Sequence, residues 1–174
     1  MSGRIAEIDW QSTPFGEISL RRRHDPVLDQ EVFEVLLGDE YLMSSSFTAA
    51  EEELAATALD SVSGNELRVL VGGLGPCAES SWDAVIVDID HSPRHTLAPG
   101  NEWLCTDAGT RALAALLDDE GVFALWSNDP PDEEYLQVLR GTFPRVSSHV
   151  VSFPNPLQGG EATNTVYVAQ VGEK

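Results

Sequence analysis

The chain has little to staple it and little positive charge. Its two cysteines, Cys77 and Cys105, form no CxxC pair and no dense pattern, which argues against a disulfide framework or a zinc cluster and fits a reducing compartment. No stretch approaches the roughly 18 apolar residues of a membrane span, and the N-terminus lacks the apolar core of a signal peptide. The expectation is a soluble, cytoplasmic protein. Lys and Arg number 10 against 29 Asp and Glu, a formal net charge of -19. Such a surplus opposes non-specific binding to nucleic acid or anionic membrane and favours cationic partners. Four of the basic residues, Arg4, Arg21, Arg22 and Arg23, crowd the first 23 positions, whereas Asp118 to Glu134 holds seven acids and no Lys or Arg. That acidic stretch reads either as a solvated face or as a mouth that attracts a cationic substrate. Internal repeats and low-complexity tracts are absent too.

What remains is a chain of 174 residues, long enough for one main domain with a small N-terminal appendage. IAEIDW, GEISLRRR and VFEVLLGDEYLMSS read as short strands, the last as a hairpin about Gly38-Asp39. Arg21 to His24 is expected on an exposed edge, or holding an anion or acidic partner. From Thr48 the pattern turns helical: Thr48 and Glu51 have capping-box spacing, and Leu54, Ala58 and Leu59 share one side. ELRVLVGG and WDAVIVDID are apolar runs without alternation, as in strands covered on both faces of a parallel sheet. Thr106 or Asp107 can cap a helix to about Leu117, with Leu113, Leu116 and Leu117 toward the sheet. GVFALWS is a further buried strand, EEYLQVLRGTF an amphipathic helix, and SHVVSF and NTVYVAQ a closing pair about a long hairpin loop. Strands alternating with helices and ending in a hairpin imply a three-layer α/β domain with one antiparallel strand.

Gly72, Gly73 and Gly75 follow directly on a predicted strand, where a side-chain-free turn lets a ligand approach the sheet's C-terminal edge. A dinucleotide fingerprint requires G-x-G-x-x-G opening a helix. Here residues 74 to 81 leave eight positions before the next strand, too few for the usual helical crossover, though an extended return along a short strand fits. The glycines read first as a structural turn and second as a surviving piece of a cofactor site.

The order EVLLGDEYLMSSSFTAAEEELA, LRVLVGGLG, WDAVIVDIDHSP, GVFALWSNDPP and FPNPLQGGEATNTVYVA resembles spermidine synthase-like proteins, which have the class I S-adenosylmethionine-dependent methyltransferase fold. The resemblance implies an α/β chain with a truncated, Rossmann-like three-layer methyltransferase fold behind a small N-terminal β-strand region. Residues 1–46 would form the strand and hairpin region, and 47–174 the S-adenosylmethionine-binding-type domain, shortened at 76–81. It implies aminopropyl transfer from decarboxylated S-adenosylmethionine to a polyamine such as putrescine, and a homodimer formed through the N-terminal strands. Gly72, Gly73, Gly75 and Glu53 are similar to cofactor-contacting positions. Asp88 is similar to the first aspartate of a D-x-x-D element whose second position falls on His91, with Asp90 one place earlier. The departure is the segment between glycine turn and aspartate strand, where such proteins carry their ribose and adenine contacts. Its loss would impair binding of either S-adenosyl cofactor. An S-adenosylmethionine-dependent methyltransferase and a non-catalytic oligomeric scaffold are the competing functions.

The residues themselves support amine chemistry. If the strand continues past Asp88, then Asp88 and Asp90 point to one side. Asp88 would orient the amine or cofactor, and Asp90 or His91 would accept a proton. Asp129, Asp132 and Glu161 are candidate substrate contacts near predicted strand ends. His91 and His95 straddle Pro93, which disfavours a helical pair of metal ligands, so no metal site is expected.

Overall fold

Alternation of apolar and charged residues builds the N-terminal part as a meander. The computed structural model of the chain describes residues 5–14, 16–72, 81–88, 91–97, 99–155 and 159–172. Strands β1 (Ala6–Thr13), β2 (Gly16–Asp25), β3 (Gln30–Leu37) and β4 (Glu40–Ser44) pair antiparallel in chain order. The expected β3–β4 hairpin forms, with Gly38 at φ +59°, a left-handed conformation costly for a side chain but open to glycine.

The arginine run is not on an edge, because β2 lies between β1 and β3. Its side chains alternate across the sheet and find acids within the same unit. Arg21 Nε and Arg23 Nε each donate to the Glu34 carboxylate at 2.7 Å, Arg23 also binds Asp25 at 2.7 Å, and Arg22 pairs with Glu31 at 3.2 Å on the other face. Glu34 is 1% exposed. Desolvation pushes its carboxyl up, but the hydrogen bonds from Arg21 and Arg23 prevail and hold it below the ordinary range. On the opposite face Phe33 and Met43 stand exposed beside Val35.

The second sheet has the order β5-β6-β7-β9-β8, from β5 (Val69–Val71), β6 (Trp82–Val87), β7 (Leu117–Ser127), β8 (Arg145–Asn155) and β9 (Gly160–Gln170). β5, β6 and β7 are parallel, and β9 is antiparallel to β7. The continuous apolar runs are explained by two covered faces. Ala84, Ile86, Val122, Ala124, Val166 and Val168 pack with Leu54 and Ala58 of α1 (Ala49–Asp60). Val85, Val87, Phe123, Leu125, Tyr167 and Ala169 pack with Leu113 of α2 (Asp107–Ala114) and with Tyr135, Leu136 and Leu139 of α3 (Glu133–Arg140). Each Val, Leu, Ile or Phe side chain so buried contributes about 1.5–3 kcal/mol. The architecture is a mixed α/β chain with two sheets and three layers about the second.

Three local readings shift. Leu59 is 39% exposed rather than packed. Thr106 caps α2 by accepting from the Gly109 N–H, but the helix stops at Ala114 and Leu117 begins β7, paired with Trp82. The acidic stretch is divided by β7 itself: Asp118, Asp119 and Glu120 lie near its start, and Asp129, Asp132, Glu133 and Glu134 lie beyond its end. An 11-residue strand spans roughly 35 Å, so the seven acids do not form one mouth. A 3-10 helix, Pro99–Cys105, precedes α2.

By internal contacts the chain divides into two compact units, 1–48 with 154–161 and 49–153 with 162–174. No described helix is long and apolar enough to cross a membrane.

Candidate functional site

Parallel pairing of β5 and β6 fixes the main geometric question. Val69 pairs with Ala84, Leu70 with Val85 and Val71 with Ile86, and the Gly72 N–H donates to the Ile86 carbonyl at 3.1 Å. Gly72 therefore leaves β5 at the same rim where Asp88 leaves β6. Its φ of +101° suits glycine, and among the described residues, its chain neighbours aside, no atom lies within 4 Å of where a Cβ would stand, which leaves the backbone on that side open to them. Gly73, Gly75 and Asp90, expected to join this rim, lie outside the described residues.

Asp88 is exposed at the strand end, yet its carboxyl is pushed up from 3.8 to about 6. Crowding by protein atoms, which costs the charge part of its hydration, is the larger cause. The nearby Glu51 carboxylate is the second. Glu51 sits in the first turn of α1 and is itself raised, by desolvation first and by Glu52 last, while its own backbone N–H works in the opposite direction. Sequence reading passed over Glu51 except as a cap and chose Glu53. At about 100° per residue the two lie on opposite sides of the helix. Glu53 is exposed, accepts from Thr57 Oγ1 at 3.2 Å, and borders a groove shared with Arg145 and Ser147.

Past Asp88 the chain makes a tight turn. Ser92 and His95 exchange backbone hydrogen bonds of 3.3 and 3.1 Å, and the Asn128 N–H donates to the His91 carbonyl at 2.7 Å, tying this turn to the end of β7. His91 and His95 thus lie on a non-helical segment. A cleft of about 330 Å³ opens alongside, lined by Ser92, Arg94, Asp129, Asp132, Glu133 and Tyr167 among others.

Two of the expected substrate contacts meet in that cleft with different freedom. Asp132 caps α3, accepting from the Glu134 and Tyr135 N–H groups, and receives Arg94 at 2.5 and 2.9 Å. The Arg94 guanidinium holds its carboxyl below the usual range and occupies the lone pairs an amine would need. Asp129 is partly open, with 42% of its side chain exposed, and accepts from His95 Nδ1 at 3.0 Å. Ser92 is the main cause of its lowered pKa, and His95 adds to it. Glu161 is exposed near the start of β9 and belongs to the first compact unit.

No protein-family model and no curated protein matches the chain. Solved structures do. A spermidine synthase in complex with the transition-state analogue AdoDATO superposes with TM-score 0.65 at 15% identity, covering 97% of this chain and 74% of that one. The spermidine synthase from Thermotoga maritima gives 0.64 at 14% over the same shares. The fold is spermidine synthase-like. A probable spermidine synthase from Corynebacterium glutamicum ATCC 13032 agrees at TM-score 0.60 and 11% identity, with 95% of this chain and 79% of that one covered. At these identities the likeness extends to the fold and leaves individual residues to be argued from their own surroundings.

Proposed function

We propose that the second unit is a truncated Rossmann-like methyltransferase fold used for spermidine synthase-like aminopropyl transfer from decarboxylated S-adenosylmethionine to a polyamine such as putrescine. The observation that carries this reading is the nearness of the Glu51 charge to Asp88, at the rim where Gly72 leaves the neighbouring strand. The Glu51 charge raises the proton affinity of Asp88, and a polyamine ammonium beside the two would offset that repulsion. The spermidine synthase-like fold supports the assignment of such a cation to this rim.

The cationic part of the cofactor fits the acids of the rim, and its backbone-facing part fits the open approach at Gly72. Contacts for ribose and adenine are not identified among the described residues. When bound, the cofactor supplies a carbon made electrophilic by its sulfonium. Glu51 and Asp88 would hold the amine and offset its charge, and the rim would orient the amine nitrogen toward that carbon. A proton must leave the ammonium before its nitrogen has a lone pair to donate.

Calorimetry with decarboxylated S-adenosylmethionine, S-adenosylmethionine, methylthioadenosine and putrescine, paired with an assay for methylthioadenosine release, tests the proposal. Binding of the first with release on adding putrescine is expected. Heat from S-adenosylmethionine alone would favour a methyltransferase, and none from any S-adenosyl ligand a non-catalytic scaffold. The exposed Phe33 and Met43 favour a homodimer through the four-stranded sheet. Sedimentation velocity of Met43→Lys should show a monomer where the unmodified chain sediments as a dimer.

A further inference from the structure

The reaction proposed above needs a proton acceptor, and Asp90 lies outside the described residues. We infer that His95 Nε2 is that acceptor and that Asp129, which lines the cleft beside the 92–95 turn, is its positioning residue, for a substrate bearing a primary ammonium group. This inference rests on the amine reading of the rim.

Three contacts define the imidazole. His95 Nδ1 is 3.0 Å from Asp129 Oδ2 and 3.1 Å from Ser92 Oγ, and the Ser92–His95 backbone bridge fixes the turn that carries it. An ionised carboxylate only accepts hydrogen bonds, and Asp129 is held in that form by Ser92 first and His95 next. The proton between His95 and Asp129 must therefore sit on Nδ1. A neutral imidazole carries one proton, so Nε2 keeps its lone pair. With 70% of the side chain exposed, solvent and substrate can reach it.

Asp129 is itself fixed. Its carbonyl accepts from Thr165 Oγ1 at 2.7 Å, and its N–H donates to Ser127 Oγ at 3.2 Å. The serine beside this pair does not make a nucleophilic triad, since Ser92 and Asp129 both approach the same ring nitrogen and Nε2 faces neither. The other charges in the neighbourhood are committed: Arg94 to Asp132 and Glu134, and Glu133 to Arg140. In the step, an ammonium N–H bond breaks and its electron pair stays on the amine nitrogen. The proton adds to the Nε2 lone pair, and Asp129 balances the imidazolium.

Long-range ¹H–¹⁵N NMR of the full-length protein at pH 8 reads the tautomer directly, with His95 assigned among the four histidines by its loss in His95→Gln. The expected result is an Nδ1–H tautomer that shifts toward Nε2–H in Asp129→Asn and is restored in Asp129→Glu. Millimolar putrescine should move the His95 ring signals. His95→Gln should lower kcat by about 10²-fold or more with KM little changed. An Nε2–H tautomer in the unmodified protein, or one indifferent to Asp129→Asn, overturns the inference. Putrescine that moves the Asp88 carboxyl signal and leaves His95 in place removes His95 and keeps the amine reading. If Asp88 does not move, the rim reading falls and the acceptor role that rests on it falls too, whether or not His95 moves.

Discussion

Replacing Asp88 by Asn removes one charge from a rim where the Glu51 carboxylate is near, and the sign of its effect on stability differs from its effect on binding. The folded carboxyl titrates at about 6 against an ordinary 3.8. Between those values the folded state holds more of the proton than the unfolded state, so stability falls as pH rises from about 4 to about 6, and the deficit persists above. A fully desolvated group moved that far would carry about 3 kcal/mol. Asp88 is exposed, and water screening reduces the expected penalty to under about 1 kcal/mol.

Asp88→Asn should therefore be neutral below pH 4 and stabilising by a few tenths to about 1 kcal/mol at pH 8. Meanwhile it loses a charge-assisted contact to an ammonium, worth about 1.5–3 kcal/mol or roughly 10- to 150-fold in Kd. Urea denaturation at both pH values and calorimetric titration with putrescine measure the two effects separately. A companion variant, Glu51→Gln, should bring the Asp88 titration down only part of the way, because desolvation is the larger cause. The reasoning fails if Asp88 titrates near 3.8 by carboxyl NMR, or if Asp88→Asn loses stability at pH 8 in step with affinity.

In the four-stranded sheet, Glu34→Gln breaks a buried pair held by two arginines and should cost about 2–3 kcal/mol, below the roughly 3–5 of a fully buried pair because both arginines are partly exposed. The Glu34 contribution is complete above its ordinary 4.5 and lost as pH falls through the lower folded value, so acid denaturation curves of Glu34→Gln should be flatter than those of the unmodified chain; equal curves refute the pairing. Gly109→Ala drives a methyl to 2.0 Å from the Trp103 carbonyl oxygen and should lower stability by more than about 2 kcal/mol, and a melting temperature within a degree of the original would contradict that packing. Asp132→Ala removes the α3 cap and should cost about 1–2 kcal/mol by urea denaturation with putrescine affinity little altered, whereas a large loss of affinity would make it a substrate contact after all.

The elements legible from sequence were those whose signal is local. The Gly38 turn, the cap at Thr106, the apolar period of α3 and the uninterrupted runs of β6 and β7 each fix structure within about ten residues, and each formed as read. Leu117 was misread because two apolar neighbours after a helix look the same whether they end it or begin a strand; pairing with Trp82, distant in sequence, decides the matter. The arginine run was misplaced for a similar reason. Arg21 and Arg23 look like an exposed edge until β3 supplies Glu34 at the matching register, 13 and 11 residues away. Glu51 was overlooked as a site residue because an acid in the first turn of a helix already has an explanation in the helix dipole, and only the fold brings Asp88 beside it.

The length of β5 and the length of the link after it constrain each other. A parallel neighbour must begin at the opposite edge from where the first strand ends, so the connecting chain has to travel back over the strand's own length. β5 has three residues, about 10 Å of strand, and the nine residues from Gly73 to Ser81 reach at most about 30 Å. That is enough to return over three residues and step sideways by one strand spacing, and it would become taut over a strand as long as β7. A short β5 is therefore what allows β6 to remain parallel. Parallel pairing in turn sets Gly72 and Asp88 at one rim, where an antiparallel β6 would have carried Asp88 to the far edge.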